Sequence, residues 1–172
     1  MVLVKGRTVV QDRWQHLEDT DPLPPLGTIG GGPVTLSWAR WTAERDSSDL
    51  AGRAPAELGV RIPNTVTTAE IGAEAAKFGL ITVHFPNFGD GRAFSQARVL
   101  RDRYGFRGEI RATGGVLRDQ LQFMQRCGID AFEMPDRALE ENWLAAFDEF
   151  DVFYQPAEDN RPWIARQRLG RN

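Results

Sequence analysis

The chain has 172 residues, of which 41% are hydrophobic and 26% charged, with 21 basic and 24 acidic side chains and a net charge of -3. This composition is typical of one globular domain, and its acidic balance argues against nucleic acid as a partner. The single cysteine, Cys127, excludes an internal disulfide and a cysteine-ligated zinc or iron–sulfur site within one chain. No apolar run reaches the roughly 20 residues of a membrane-spanning helix, and no secretory signal is present, so we expect a cytoplasmic protein without a membrane partner.

The first 33 residues predict little regular structure. Short β-prone runs at residues 2–4 and 8–10 predict a small hairpin, and a polar turn follows around Trp14. Prolines and glycines at residues 21–33 predict a surface connector.

A strand at residues 34–36 and a helix at residues 38–45, capped by Ser37, come next, and residues 46–57 show no clear period. From there, β-prone runs alternate with amphipathic helices. Further strands are predicted at residues 59–62, 80–85, 109–112, 129–134 and 152–154. Helices are predicted at residues 67–78 with a Thr67–Glu70 capping box, 93–104, 116–127, and 136–150 with Asp136 as its cap.

This alternation predicts an α/β fold with a parallel β-sheet built from repeated β/α units. An open doubly wound sheet and a partial β/α barrel both satisfy the pattern, whereas a full eightfold barrel needs about 250 residues. The predicted organisation is a hairpin and connector at residues 1–33, a β/α domain at residues 34–156 and a C-terminal surface arm at residues 157–172.

Charge is distributed unevenly along the chain. Residues 92–126 hold eight arginines and three acids, whereas residues 130–160 hold ten acids and one arginine. Such an asymmetry can steer an anionic ligand or a charged partner protein.

The loops after the strands at residues 80–85 and 109–112 combine glycines with arginines. Because the carboxyl ends of parallel strands meet at one edge of a sheet, these loops predict an anion site there. The glycines can equally be turn residues, Asp90 and Asp119 helix caps, and Glu133 a salt-bridge partner of Arg111 or Arg118. The candidate ligand-binding residues at this edge are Asn87, Asp90, Gly91, Arg92, Gly114, Gly115, Arg118, Asp119, Gln120, Glu133 and Gln155.

His84, at the end of an apolar strand, is the candidate catalytic residue. It is either a partly buried, hydrogen-bonded structural histidine or a general base or anion donor. His16 falls in a polar N-terminal segment and is expected to lie away from this region. Cys127 ends a predicted helix, where the helix dipole disfavours a thiolate, so we expect it to pack rather than react.

The familiar cofactor motifs are absent from the sequence. It holds no Walker phosphate loop, dinucleotide fingerprint, nucleophile elbow or HExxH motif. No cofactor is therefore indicated by motif, and two histidines with one cysteine make a transition-metal site unexpected.

The run FPNFGDGRAFSQAR at residues 85–98 resembles the bacterial domain of unknown function 934 family. LSWARW at residues 36–41, RCGIDAFE at residues 126–133 and YQP at residues 154–156 extend the likeness over nearly the whole chain. Members of this family are described as oxidoreductases of sulfite reduction and are commonly encoded beside the sulfite reductase hemoprotein.

The resemblance implies a role in assimilatory sulfur metabolism and transfers no catalytic residues. One function it implies is an accessory protein that docks on the sulfite reductase hemoprotein through a charged segment. The alternative is a small oxidoreductase-type enzyme or ligand-binding protein that holds an oxyanion or a phosphorylated metabolite at the carboxyl ends of the strands. Any cofactor is unknown, and a homodimer is the default assembly.

Overall fold

The computed structural model describes residues 1–24, 32–158 and 163–164. Eight strands form one sheet in the order β2-β1-β8-β7-β6-β5-β4-β3, which curls into a half-barrel. The strands are β1 (Val2–Lys5), β2 (Thr8–Val10), β3 (Gln15–His16), β4 (Val34–Ser37), β5 (Leu58–Ile62), β6 (Leu80–Phe85), β7 (Glu109–Gly114) and β8 (Ala131–Met134). The α-helices are α1 (Trp38–Glu44), α2 (Ser48–Ala51), α3 (Thr68–Glu74), α4 (Arg92–Asp102), α5 (Leu121–Arg126) and α6 (Arg137–Glu140). Single 3₁₀ segments lie at Pro55–Glu57, Ala75–Lys77, Arg118–Gln120 and Trp143–Asp148.

The sheet is mixed, which corrects the prediction of a purely parallel one. Strands β3 to β8 pair in parallel, but β1 runs antiparallel to both β2 and β8, with Leu3 opposite Glu133. The predicted hairpin therefore exists, with Gly6 at a φ of 61° in its turn, and it belongs to the main sheet. Of the two predicted architectures, the partial barrel is the one observed.

Strand residues of one parity form the core on the convex face, against the helices. Val60, Val83 and Ala112 are wholly buried there together with Leu100 of α4. Phe85 meets Phe94 of α4 edge-on at 4.9 Å between ring centroids, which fixes this helix against β6. The strand bounds of β6 and the caps of α1 by Ser37 and of α3 by the Thr67–Glu70 box are confirmed.

Residues of the other parity face the concave side, and most of them are polar. At the amino ends of the strands this side is filled, because a Cβ on Gly59 would lie 3.1 Å from both Trp14 Cζ3 and Leu80 Cβ. Glycine at position 59 thus lets the buried Trp14 ring pack against the sheet. The carboxyl ends of the strands are left as the open part of the concave face.

The predictions for residues 129–154 are partly wrong. The helix expected at residues 136–150 is divided into α6 and a 3₁₀ segment by Asn142, which has a φ of 52°. Asp136 makes no capping bond and instead accepts one from the N-terminal amine. No strand forms at residues 152–154 beyond one isolated bridge between Phe153 and Trp163, because β1 already pairs with the outer edge of β8.

The segment after the hairpin differs from the prediction, and parts of the connector and of the C-terminal arm lie outside the described residues. The turn expected after the hairpin includes β3, which pairs with β4. Of the predicted C-terminal arm, residues 159–162 and 165–172 lie outside the described part of the chain, as do residues 25–31 of the connector. Among the described residues, no helix has the length and apolar character needed to cross a membrane.

Candidate functional site

A cleft of about 560 Å³ opens on the concave face at the carboxyl ends of the parallel strands. Strands β3 to β8 each contribute at least one polar side chain to it because these residues share one parity of the sheet. The polar lining consists of His16, Asp19, Ser37, Arg61, Thr82, His84, Thr113 and Glu133. The apolar lining consists of Trp38, Ala39, Ile62 and Pro63.

Arg61 is the cation of the cleft that has no acidic partner among the described residues. Its half-buried side chain donates from Nη2 to the backbone oxygen of Leu17 at 2.6 Å. The guanidinium has five N–H donors, so most of them stay available to a ligand.

Thr82 lies directly opposite Arg61 in the pairing of β5 with β6. It is only 3% exposed, and its Oγ1 has no hydrogen-bond partner among the described residues. Leaving a buried hydroxyl unpaired costs about 1–3 kcal/mol, so such a group in a cleft wall indicates a place for a ligand.

His84 and Thr113 form the next opposed pair, across β6 and β7. The imidazole Nδ1 lies 3.4 Å from Thr113 Oγ1, which is a long hydrogen bond. The side chain of His84 is exposed. It remains the candidate general base or donor.

His16 also lines the cleft, contrary to the expectation that it lies elsewhere. Its Nδ1 is 2.6 Å from Thr35 Oγ1 and its Nε2 is 3.1 Å from Asp12 Oδ2, so both ring nitrogens are held. A two-residue strand is too short to show a hydrophobic period, and the sequence therefore carried no signal that would have placed this residue.

A buried ion network supports the floor of the cleft. Arg111 is 1% exposed and reaches Asp12 at 2.5 Å, Glu109 at 3.0 Å and Glu133 at 3.4 Å. Burial lowers the pKa of Arg111, but hydrogen bonds and charge attraction from Asp12 and Glu109 outweigh it, so the pKa is raised. The predicted pairing of Glu133 with Arg111 is confirmed.

Asp12 is held as a carboxylate by the same network. Burial raises its pKa, but hydrogen bonds from Arg111, the Trp14 amide and His16 outweigh burial, and the pKa lies below its usual value. The group is therefore ionised throughout the neutral range.

Asp12, His16 and Glu133 are the described residues that could hold a metal ion, since their donor atoms lie within 4.8 Å of one another. Arg111 already donates to both carboxylates, so a metal ion would compete with a buried guanidinium for them. We therefore interpret this cluster as an ion network.

The two predicted loops do emerge at one rim of the half-barrel. The amide of Gly115 donates to the Phe85 oxygen at 2.6 Å, and a Cβ on Gly115 would lie 3.8 Å from Asn87 Cα. Arg92 pairs with Asp90 at 2.6 Å, and this contact lowers the pKa of Asp90 to about 2. The rim arginine is thus already matched by an acid.

The remaining predicted residues are more dispersed. Arg118 lies 3.6 Å from Glu149, and Asp119 and Gln120 lie in the same 3₁₀ segment as Arg118. The backbone oxygen of Gln155 accepts a hydrogen bond from Arg126. Of the predicted site residues, the cleft brings together His84 and Glu133. The residues that the sequence analysis missed there are the polar concave-face positions His16, Ser37, Arg61, Thr82 and Thr113.

The basic and acidic segments of the sequence partly neutralise each other in space. Arg101 pairs with Asp130 at 2.5 Å, and Arg98 approaches Glu158 at 3.8 Å. The linear charge asymmetry is therefore weaker on the folded surface than in the sequence.

A family model described as bacterial protein of unknown function (DUF934) matches residues 59–164. The chain belongs to the DUF934 family. No curated protein and no solved structure matches it. The match spans Arg61, Thr82, His84 and Thr113, whereas His16 comes before it.

In this DUF934 protein the cleft combines an arginine, hydroxyl groups and an exposed imidazole. An arginine fork and hydroxyl donors are suited to an oxyanion such as phosphate, sulfate or carboxylate.

Proposed function

We propose that this DUF934 protein binds a small molecule through an oxyanion group in the half-barrel cleft. The observation that carries the proposal is the opposition of Arg61, a cation without an acidic partner among the described residues, to the unpaired buried hydroxyl of Thr82. Neighbouring strands lie about 4.8 Å apart, so one oxyanion can contact both side chains.

Binding would supply each of these groups with the partner that it lacks. The oxyanion accepts hydrogen bonds from the Arg61 guanidinium and from Thr82 Oγ1, which relieves the cost of the buried hydroxyl. His84 lies two residues beyond Thr82 on the same face of β6, and Thr113 lies opposite His84 on β7. An imidazole at this place can donate a hydrogen bond to the ligand or take a proton from it.

An NMR titration with sulfite, sulfate and phosphate tests this site and tolerates weak binding. We expect the Arg61 Nε–H signal and the Thr82 amide signal to shift. Arg61→Gln should weaken binding at least about tenfold, because hydrogen bonds from a charged group contribute about 1.5–3 kcal/mol.

Arg92→Gln is the matched control, since Arg92 begins α4 at the rim and already pairs with Asp90. Its affinity should stay within about twofold of the parent protein. If Arg92→Gln or Arg118→Gln abolished binding while Arg61→Gln kept it, the oxyanion would belong to the rim loops. The absence of any shift in the cleft would refute the proposal.

A second candidate function is docking on the sulfite reductase hemoprotein, the role in assimilatory sulfite reduction that the family resemblance implies. It is favoured by Phe150 and Tyr154, which are 62% and 80% exposed within the acidic segment at residues 130–160. Exposed apolar side chains surrounded by acids are typical of a surface for a basic partner.

Binding to immobilised sulfite reductase hemoprotein at low salt tests this second function. The double variant Phe150→Ser and Tyr154→Ser should lose most of the binding, whereas Phe88→Ser, which removes a side chain that is 66% exposed outside the segment, should not. Lack of association at every ionic strength would count against docking.

A further inference from the structure

The size of the cleft limits what its occupant can be. An inorganic oxyanion takes up roughly 60 Å³, about the space of two water molecules. The open cleft has a volume of about 560 Å³, within the range of sites for whole organic metabolites. A bare sulfite or phosphate would fill only a small part of it.

One wall of the cleft is apolar and firmly held. Trp38 is half-buried against the core and begins α1, where Ser37 Oγ accepts from the Arg40 amide at 3.0 Å. Pro63, which directly follows β5, continues this wall. A rigid indole beside a proline is suited to contact with a flat or apolar body.

The cationic end and the apolar wall of the cleft lie close together. Ser37, which directly precedes Trp38, pairs with Arg61 across β4 and β5. Pro63 comes two residues after Arg61, or about 6.6 Å along the chain. A molecule that reaches Arg61 and Thr82 with an oxyanion therefore brings the attached atoms against Trp38 and Pro63.

We infer that the occupant is an organic anion: its phosphate or carboxylate group binds at Arg61 and Thr82, and its apolar, ring-bearing body packs against Trp38. This inference rests on the proposed oxyanion site and specifies its ligand class. It makes Trp38 the residue that distinguishes an organic ligand from an inorganic one.

Calorimetry and thermal unfolding with five probes test the inference. The probes are adenosine monophosphate, 4-hydroxybenzoate, ribose 5-phosphate, inorganic phosphate and sulfite. We expect at least one of the two ring-bearing anions to bind at least tenfold more tightly than ribose 5-phosphate and both inorganic ions. The better of the two reports whether the head group is a phosphate or a carboxylate.

Variants at Trp38 distinguish the contribution of the ligand's ring-bearing body to affinity from that of its anionic head group. Trp38→Ala should reduce the affinity for the ring-bearing anion about tenfold and leave the affinity for inorganic phosphate unchanged, and Trp38→Phe should restore most of the loss. Retained phosphate binding also shows that the Trp38→Ala variant is folded.

The outcomes keep the two proposals distinguishable. If inorganic phosphate or sulfite binds at Arg61 and neither ring-bearing anion binds more tightly, the ligand class is wrong and the oxyanion site stands. If a ring-bearing anion binds but Trp38→Ala has no effect on its affinity, the inferred wall is wrong. If none of the five probes binds, both proposals fail.

Discussion

Thr82 combines a cost in stability with a place in the proposed site. Its neighbours on β6, Ile81 and Val83, are wholly buried in the core, as expected for a strand predicted from a run of apolar residues. Thr82 is also buried, but its hydroxyl has no partner among the described residues. The sequence predicts an apolar-rich strand at residues 80–85 and gives no sign of the role of Thr82, because an unpaired hydroxyl is a property of its surroundings rather than of its residue type.

We expect Thr82→Val to stabilise the ligand-free protein by about 1 kcal/mol, since it removes an unpaired buried hydroxyl while keeping the shape of the side chain. The same change should weaken binding of phosphate to the cleft. Urea unfolding with and without phosphate measures both effects. A destabilised variant would mean that the hydroxyl has a partner.

At the scale of elements, β6 was the best predicted part of the sheet, whereas β7 begins at the predicted residue 109 but extends two residues beyond the predicted end at residue 112. The bounds of β6 match the prediction, and Gly128, with a φ of 91°, follows the helix end predicted at Cys127. The predicted helix at residues 116–127 is shorter, with a 3₁₀ segment before α5. Local patterns specify where a segment changes direction better than they specify the type of its first turn.

Gly114 closes the rim between these two strands. It has a φ of 83°, and an added Cβ would lie 2.5 Å from the Phe85 oxygen. Gly114→Ala should therefore lower the free energy of unfolding by about 2–4 kcal/mol, through backbone strain and a clash with backbone.

Gly105→Ala is the control for this prediction. Gly105 has a φ of 62°, but an added Cβ there would meet no atom within 4 Å. Its cost should be about 1–2 kcal/mol, from strain alone. Equal losses for the two variants would show that the contact with Phe85 is unimportant.

At the scale of the whole molecule, the ion network joins the N-terminal segment to the centre of the sheet. Asp12 and Arg111 are 99 residues apart in sequence. Their contact brings the segment before β3 against the concave face of β7, beside Glu133 of β8. The curl of the sheet makes this contact available, because it turns both ends of the strand order toward the same interior.

We expect stability to fall as pH drops below 3.8, the ordinary pKa of Asp12, because the folded-state pKa is lower and the folded protein resists protonation. The contribution of this carboxylate is thus complete above that pH and is lost as pH falls through the lowered value. Asp12→Asn should lower the free energy of unfolding by about 1–2 kcal/mol at pH 7 and by less than that at pH 3. Urea unfolding at both pH values measures it, and an equal cost at both would assign the effect to shape rather than charge.

The sequence by itself determined the α/β alternation, most strand positions, the caps of α1 and α3 and the family, because these depend on residues close together in the chain. Only the tertiary structure decided that the sheet is mixed, that no strand forms at residues 152–154, and that His16, Arg61 and Thr82 share a cleft with His84. Which strand occupies an edge, and which polar side chains share a concave face, depend on competition between segments far apart in sequence. Residue spacing records the preferences of each segment, but the partner that prevails is settled only when all the strands pair.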